Sequence, residues 1–246
     1  MPPAVRLYPF DTRPGPAALA ADEVLLEHAA AEGVASLRFY QWAEPTLSLG
    51  YFQPAADRLA DPLVAGLPFV RRASGGAAIL HGDGDLTYAL ALPPGKPWQD
   101  GEPWLCKFHH LLADVFRGWS VPAKVVACGE EQKLGPVQCF LHQTPADLVV
   151  NGSKVVGSAR RKLRGAVVQH GSVRLTTSRF APRLPGVREL AGVDVSPERL
   201  IDAVTRAFPA ATGWELTPAG WTAGDEWRIA ELVAEKYGNR EWNERR

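Results

Sequence analysis

Apolar positions along the chain recur with two periods, and each period predicts its own kind of element. From Pro16 to Glu32 the stretch "PAALAADEVLLEHAAAE" is rich in helix formers and closes at Gly33, so it predicts a first helix. "SLRFYQW" and "TLSLGYF" alternate and carry aromatics, predicting two strands on either side of the Glu44-Pro45 break. "PFVRR" and "DLTYALAL" read as further strands with a glycine-rich connection between them. Trp104, Leu105, Phe108, Leu111, Leu112 and Val115 fall at helical spacing, with Gly118 as the stop. Short strands are expected up to Cys139, and "AVVQHGSVRL" is a longer one. Ser196-Pro197-Glu198 is a cap with proline at the first helical position, opening a helix through Phe208, and Thr222 with Asp225 forms a capping box ahead of "EWRIAELVAEKY".

The segment "NGSKVV", residues 151–156, poses a problem within this pattern. Asn-Gly between two alternating runs predicts a type I′ hairpin, pairing Asp147–Val150 with Ser153–Val156. In a regular register Val150 faces Ser153, Val149 faces Lys154, Leu148 faces Val155 and Asp147 faces Val156. Lys154 then shares a face with Val149, Val156 and Asp147, inside a strand that otherwise reads as buried. A lysine guarding a strand edge is the ordinary explanation of such a residue.

No repeat of fixed period and no linker rich in serine or charge divides the chain, and prolines cluster at 183–197, as in a lid or crossing loop. One domain over residues 1–246 is expected, of mixed α/β (α+β) class, with helices flanking a mixed, largely antiparallel sheet. Hydrophobic content of 46% and charged content of 22% are those of a globular protein. Lysine plus arginine equals aspartate plus glutamate, 27 each, so no global field recruits nucleic acid or membrane and any anion site must be local. With no leader-like start and no apolar run of membrane-span length, a cytoplasmic location is expected. Cys106, Cys128 and Cys139 have no metal-type pair spacing, which suggests neither a disulfide framework nor a zinc site.

Candidate chemistry sits in three stretches. In "RRASGGAAILHGDGDLTY" the Gly75-Gly76 pair can let backbone N–H groups approach an anionic or carbonyl oxygen, with Arg71 and Arg72 just before it and His81 beyond; a glycine pair between strands is also commonly only a turn. After Lys154, Gly157, Ser158 and Ala159 are three small residues at a strand end, where a ligand or another element comes close, followed by the basic run "RRKLR". Gln169 and His170 interrupt an apolar strand, as satisfied core polar groups do. Cys139, in "VQCFLHQTPADLVV", reads as a small buried hydrophobe unless a cation or helix terminus nearby makes it a thiolate.

Taken together, "RRASGGAAILHGDGDLTY", "ADLVVNGSKVVGSARR" and "AVVQHGSV" resemble the lipoate-protein ligase and octanoyltransferase family, related in fold to biotin-protein ligases. Further similarity runs from "LRFYQWAEPTLSLGYFQ" to "AEKYGNREWNERR". The resemblance implies a sheet flanked by helices and attachment of octanoyl or lipoyl groups to a lysine of small acceptor domains. It places Arg72, Ser74, Gly75, Gly76 and His81 in a substrate-binding loop, and adds Asp147, Gly157, Ser158, Ala159 and His170 to the substrate-binding set. Lys154 takes the place of the family's lysine at the acyl carbonyl, and Cys139 that of the thiol in cysteine-type octanoyltransferases.

The reading that follows is a thioester relay. Cys139 takes octanoyl from octanoyl-acyl carrier protein, Lys154 stabilises thiolate and oxyanion, and the acceptor is a lipoyl domain of a 2-oxoacid dehydrogenase or the glycine cleavage H protein. No tightly bound cofactor, metal, nucleic acid or membrane is involved. The first alternative is an ATP-dependent lipoate ligase using ATP and magnesium through lipoyl-adenylate. The second is a non-catalytic module that binds lipoyl domains or acyl chains. Ala77 stands where ligases carry a third glycine, which weakens the adenylate reading, and Arg160 stands where glutamine often follows the small triplet.

Overall fold

The protein is described here from a computed structural model covering residues 2–95, 104–130, 132–133 and 142–245. Among these residues the main sheet has nine strands. β1 (Ala4–Leu7) and β2 (Asp11–Arg13) precede helix α1 (Gly15–Ala31) and β3 (Ala35–Trp42). A small three-stranded sheet follows, made of β4 (Thr46–Leu49), β5 (Phe69–Arg71) and β6 (Ile79–His81), with α2 (Pro62–Ala65) between the first two. The chain returns to the main sheet as β7 (Asp85–Leu92), then runs through α3 (Trp104–Gly118), β8 (Ala123–Val125), and the β9 (Gln132–Lys133) and β10 (His142–Gln143) ladder. β11 (Leu148–Val150), β12 (Ser153–Leu163) and β13 (Ala166–Arg174) complete the centre. α4 (Val187–Ala191), α5 (Pro197–Thr212), β14 (Glu215–Pro218), α6 (Ala223–Leu232), a π-helical turn (Val233–Tyr237) and α7 (Arg240–Glu244) finish the chain.

The sheet order is β14-β1-β3-β7-β13-β12-β11-β8, with β2 beside β3. Every pairing from β3 to β8 is antiparallel, whereas β14, β1, β2 and β3 run parallel, so the sheet is mixed and largely antiparallel as expected. Its two faces carry separate cores. On one, α3 and α5 bring Phe108, Leu112, Phe116, Leu200, Val204 and Phe208 against Leu37, Leu90, Val167 and Val173. On the other, α1 and α6 pack Ala18, Leu25, Ala29 and Ile229 onto Tyr40, Ala89, Ala91 and Val168. A third cluster, Leu47, Leu49, Ile79 and Leu184 among others, belongs to the small sheet.

The capping signals act as their chemistry requires. Ser196 accepts from Arg199 N–H, Thr222 and Asp225 exchange bonds as a box, and Gly33 takes the left-handed conformation past α1. The strand expected over "TLSLGYF" stops at Leu49. Gly50 turns away because the carbonyl oxygen of Gly76 lies 1.7 Å from where a Cβ would sit, so only glycine fits and the chain bends. α5 continues past Phe208 to Thr212 with Pro209 inside its last turn, and the proline-rich stretch near 183–197 holds the short α4. Among the described residues, no helix is long and apolar enough to cross a membrane.

Candidate active site

The Asn-Gly hairpin forms with Asn151 and Gly152 both at positive φ, but its register departs from the regular one. Val150 faces Ser153 and Val149 faces Lys154 as expected. Leu148 then faces Val156, with a bulge that leaves Val155 as the extra residue on β12. One extra residue reverses which way everything before it points. Lys154 therefore lies over Gly157, not beside Val156, and Val155 and Val156 both enter the core under α3.

That change of side defines the site. Lys154 is buried, with its Nζ 2.7 Å from Asp147 Oδ2, so it is no strand-edge guard. Asp147 Oδ2 also accepts the Thr144 N–H at 2.7 Å and the Thr144 hydroxyl at 2.9 Å. Gly157 supplies the room, since a Cβ there would stand 2.5 Å from Lys154 Cε. Gly157 is paired with Ser172, and Ala159 with His170, so these small residues floor the same face that carries the two polar side chains of β13.

The glycine loop closes over that face. Ser74 Oγ lies 2.5 Å from His170 Nε2, and His170 Nδ1 lies 2.9 Å from Asp22 Oδ2 on α1. The carboxylate can only accept, so Nδ1 carries the proton and Nε2 faces the Ser74 hydroxyl. Asp22 is itself held by Arg38 at 3.2 Å and the Tyr40 hydroxyl at 2.9 Å. His81 stacks on Trp42 at 4.1 Å between centroids, donates from Nδ1 to Asp85 at 3.0 Å, and accepts from Ser48 at 3.1 Å. Burial lowers the His81 pKa despite Asp85, so the ring is neutral.

Two clefts meet here. One is lined by Leu19, Tyr40, Trp42, Ile79, His81 and Ala159 among others. The second is bordered by Asp22, Glu23, Ser74, Arg161 and Tyr237. Leu19 and His170 border both. Lys154 lies further along the same sheet face, beyond the Gly157–Ser172 pair.

Several expected site residues have other work. The Arg72 guanidinium borders the first cleft and also donates to Gly75 O at 2.7 Å, Ala77 O at 2.8 Å, Ser48 O at 2.8 Å and the Ser48 hydroxyl at 3.2 Å, so it shapes the glycine loop. Arg71 similarly donates to Gly50 O at 2.8 Å, Gln53 O at 2.6 Å and Asn243 O at 3.0 Å, locking α7 to the turn after β4. Ser158 turns to the opposite face, where its Oγ meets His109 Nε2 at 2.6 Å and the Tyr88 hydroxyl at 2.5 Å. Nothing lies within 4 Å of where a Cβ on Gly75 would sit.

Cys139 lies outside the described residues. Gln143 donates to Gly152 O at 2.6 Å, in the turn two residues from Lys154. Among the described residues, no group of three His, Cys, Asp or Glu side chains is arranged to hold a metal. Asp22 was absent from the sequence-based set, although a signal existed: it sits three or four residues from Ala18, Leu25 and Leu26, on the apolar stripe of α1, where an acid demands partners.

Comparison with known proteins bears on the whole chain. The Octanoyltransferase LipM of Kyrpidia tusciae is 34% identical, over 93% of this chain and 94% of its own length. That of Moorella thermoacetica is 31% identical, over 93% of each. Among solved structures, a lipoate-protein ligase A bound with ATP superposes with a TM-score of 0.78 at 22% identity over 99% of both chains, a likeness of fold. The T. acidophilum protein Ta0514 with bound lipoic acid does so equally, at 23% identity and a TM-score of 0.78 over 99% of each. Residues 14–184, which contain the glycine loop, the bulged lysine strand and His170, match the lipoyl protein ligase A/B catalytic domain, and the chain belongs to that family.

Proposed function

We propose that this protein is an octanoyltransferase that moves an octanoyl group from octanoyl-acyl carrier protein, through a thioester on Cys139, to a lysine of a lipoyl domain. What supports this reading is a buried ammonium group, Lys154 on Asp147, on the face that leads to a cleft with apolar walls, in a chain similar over nearly its full length to octanoyltransferases. A cation taken out of water acts on developing negative charge far more strongly than one in bulk solvent.

In the first step the Cys139 thiolate attacks the donor's thioester carbonyl. The carbon–sulfur bond to the carrier breaks, and the carrier thiolate leaves and takes up a proton. One thioester replaces another, so no nucleotide is consumed. In the second step the uncharged amine of the acceptor lysine attacks the acyl-enzyme. The bond to Cys139 Sγ breaks, the nitrogen loses its proton and an amide remains. The Lys154 ammonium offsets charge on the oxyanion and the departing thiolate in both steps. The octanoyl tail, about seven carbons at roughly 0.8 kcal/mol each, draws at most about 5–6 kcal/mol from apolar walls such as Leu19, Trp42 and Ile79.

The test is mass spectrometry after mixing the protein with octanoyl-acyl carrier protein, then adding a lipoyl domain. A single octanoyl adduct on Cys139 that disappears as the acceptor gains the same mass is the expected result. Acceptor modification that needs ATP and lipoate and survives Cys139→Ser would replace this reading with adenylate chemistry. Saturable binding without any covalent product would reduce the protein to a binding module.

A further inference from the structure

The face of β12 and β13 opposite the site carries a polar chain that the reaction does not use. His109, on α3, is fully buried among Phe108, Leu112 and Phe116. Its Nδ1 is bonded to the carbonyl oxygen of Ala146, its Nε2 lies 2.6 Å from Ser158 Oγ and 3.0 Å from the Tyr88 hydroxyl, and the two hydroxyls are 2.5 Å apart. Gln169 donates to the Tyr88 hydroxyl at 2.9 Å.

The direction of this chain is fixed at one end. A carbonyl oxygen only accepts, so His109 Nδ1 carries the ring proton and Nε2 is an acceptor. One of the Ser158 and Tyr88 hydroxyls then donates to Nε2, and the other donates to that hydroxyl. Every hydrogen bond points towards the Ala146 carbonyl.

Ala146 is where the chain needs holding. It sits at φ 74°, a left-handed conformation that an alanine adopts only when its surroundings impose it. Its N–H bonds to Val126 O at 2.9 Å and its carbonyl to His109, so both its polar backbone groups are pinned. The next residue is Asp147, the carboxylate that receives Lys154. A rotation of the 146–147 peptide would swing that carboxylate away from the ammonium.

We infer that His109 is a positioning residue for acyl transfer: its Nδ1–H clamps the strained Ala146 turn and so fixes where Asp147 holds Lys154. This rests on the octanoyltransferase reading only for its kinetic consequence. The structural consequence, how well Lys154 is held, stands independently.

Two substitutions separate the two ends of the ring. His109→Asn places an amide N–H where Nδ1 stood and keeps the clamp, while His109→Gln reaches towards Ser158 and abandons it. Octanoyl transfer to a lipoyl domain at saturating donor is measured for both, with thermal unfolding as a check on folding. In parallel, mass spectrometry follows labelling of Lys154 by trinitrobenzenesulfonate. Near-wild-type kcat is expected for His109→Asn, and a loss of about 100-fold for His109→Gln, the effect of a displacement of about 1 Å at a reacting centre. Lys154 labelling should quicken roughly five- to tenfold in His109→Gln only, the weight of one lost hydrogen bond. Equal kcat losses in the two variants, or unchanged labelling in His109→Gln, would overturn the inference. Should the wild type transfer no octanoyl at all, the functional reading falls, and the labelling comparison alone still decides this one.

Discussion

Replacing Gly157 by alanine is the sharpest perturbation the site offers, because one methyl group meets one side chain. The new carbon would lie 2.5 Å from Lys154 Cε and 2.9 Å from Nζ. Non-bonded carbons rest about 3.5–4.0 Å apart, so the lysine must retreat by about 1 Å. It has nowhere to go without stretching the 2.7 Å contact to Asp147. Position 157 is not at positive φ, so the substitution adds no backbone strain, and overpacking costs about 1–3 kcal/mol of stability. A folded protein with a misplaced ammonium should lose about 100-fold in kcat, since the error falls on the group proposed to face the oxyanion. Transfer rates at saturating octanoyl-acyl carrier protein, alongside thermal unfolding, measure both effects. A folded Gly157→Ala protein with kcat within a few-fold of wild type would refute the placement of Lys154 as the electrostatic anchor.

Three further outcomes follow from the same geometry. An alanine at position 75 meets nothing within 4 Å, so Gly75→Ala should leave Tm unchanged while raising KM for the acyl donor, and an unchanged KM removes this position from the binding surface. Arg72→Lys cannot reproduce the fork that holds Gly75 O, Ala77 O and Ser48 O, and should cost about 3 kcal/mol in urea unfolding, about two charge-assisted bonds; a loss of transfer activity without any loss of stability would instead make Arg72 a ligand group. Burial lowers the His109 pKa from 6.5 to about 4, so the unfolded chain binds a proton below pH 6.5 that the folded protein refuses. Stability from this group is complete above pH 6.5 and falls by about 3 kcal/mol as pH drops to about 4. His109→Asn should remove that part of the acid sensitivity in paired urea titrations at pH 7 and pH 4, and an identical pH slope in both proteins would contradict it.

What could be read before the structure was what is local. The I′ turn, the Ser196 cap, the Thr222 box and the helical stripe of α3 each depend on residues within a few positions of one another, and each formed. β1 and β14 pair residues 4–7 with 215–218, a contact that no local period announces. The bulge at Val155 was equally silent, because a strand with one extra residue keeps its composition while exchanging its faces. That single residue decides whether Lys154 points into the core beside Val156 or across Gly157 into the site. Regular alternation gave Lys154 three neighbours on its face, of which Val149 and Asp147 hold and Val156 does not. Ser158 shows the reverse: it belonged to a correct run of small residues, but alternation turns its hydroxyl to the core side of β12, opposite Gly157 and Ala159. His109 announced itself as Asp22 did, by occupying an apolar helical stripe three and four residues before Leu112 and Ala113.

The two faces of β12 and β13 divide the electrostatic work. On the site face the polar side chains meet carboxylates: Lys154 on Asp147, and His170 on Asp22 with Arg38 behind it. On the core face the chain from Gln169 to His109 is neutral, and the low pKa of His109 keeps it so. A neutral network inside an apolar core avoids the desolvation cost of a buried charge, and it adds no field to oppose the one across the sheet. Removing either member of the Lys154–Asp147 pair would strand the other charge in a site that water barely reaches, a penalty of about 3–5 kcal/mol. Asp147 is also shared with two Thr144 donors, so its charge is only partly directed at Lys154. In the proposed transfer, the charge that develops on an oxyanion or a departing thiolate is what an ammonium held on this face would meet.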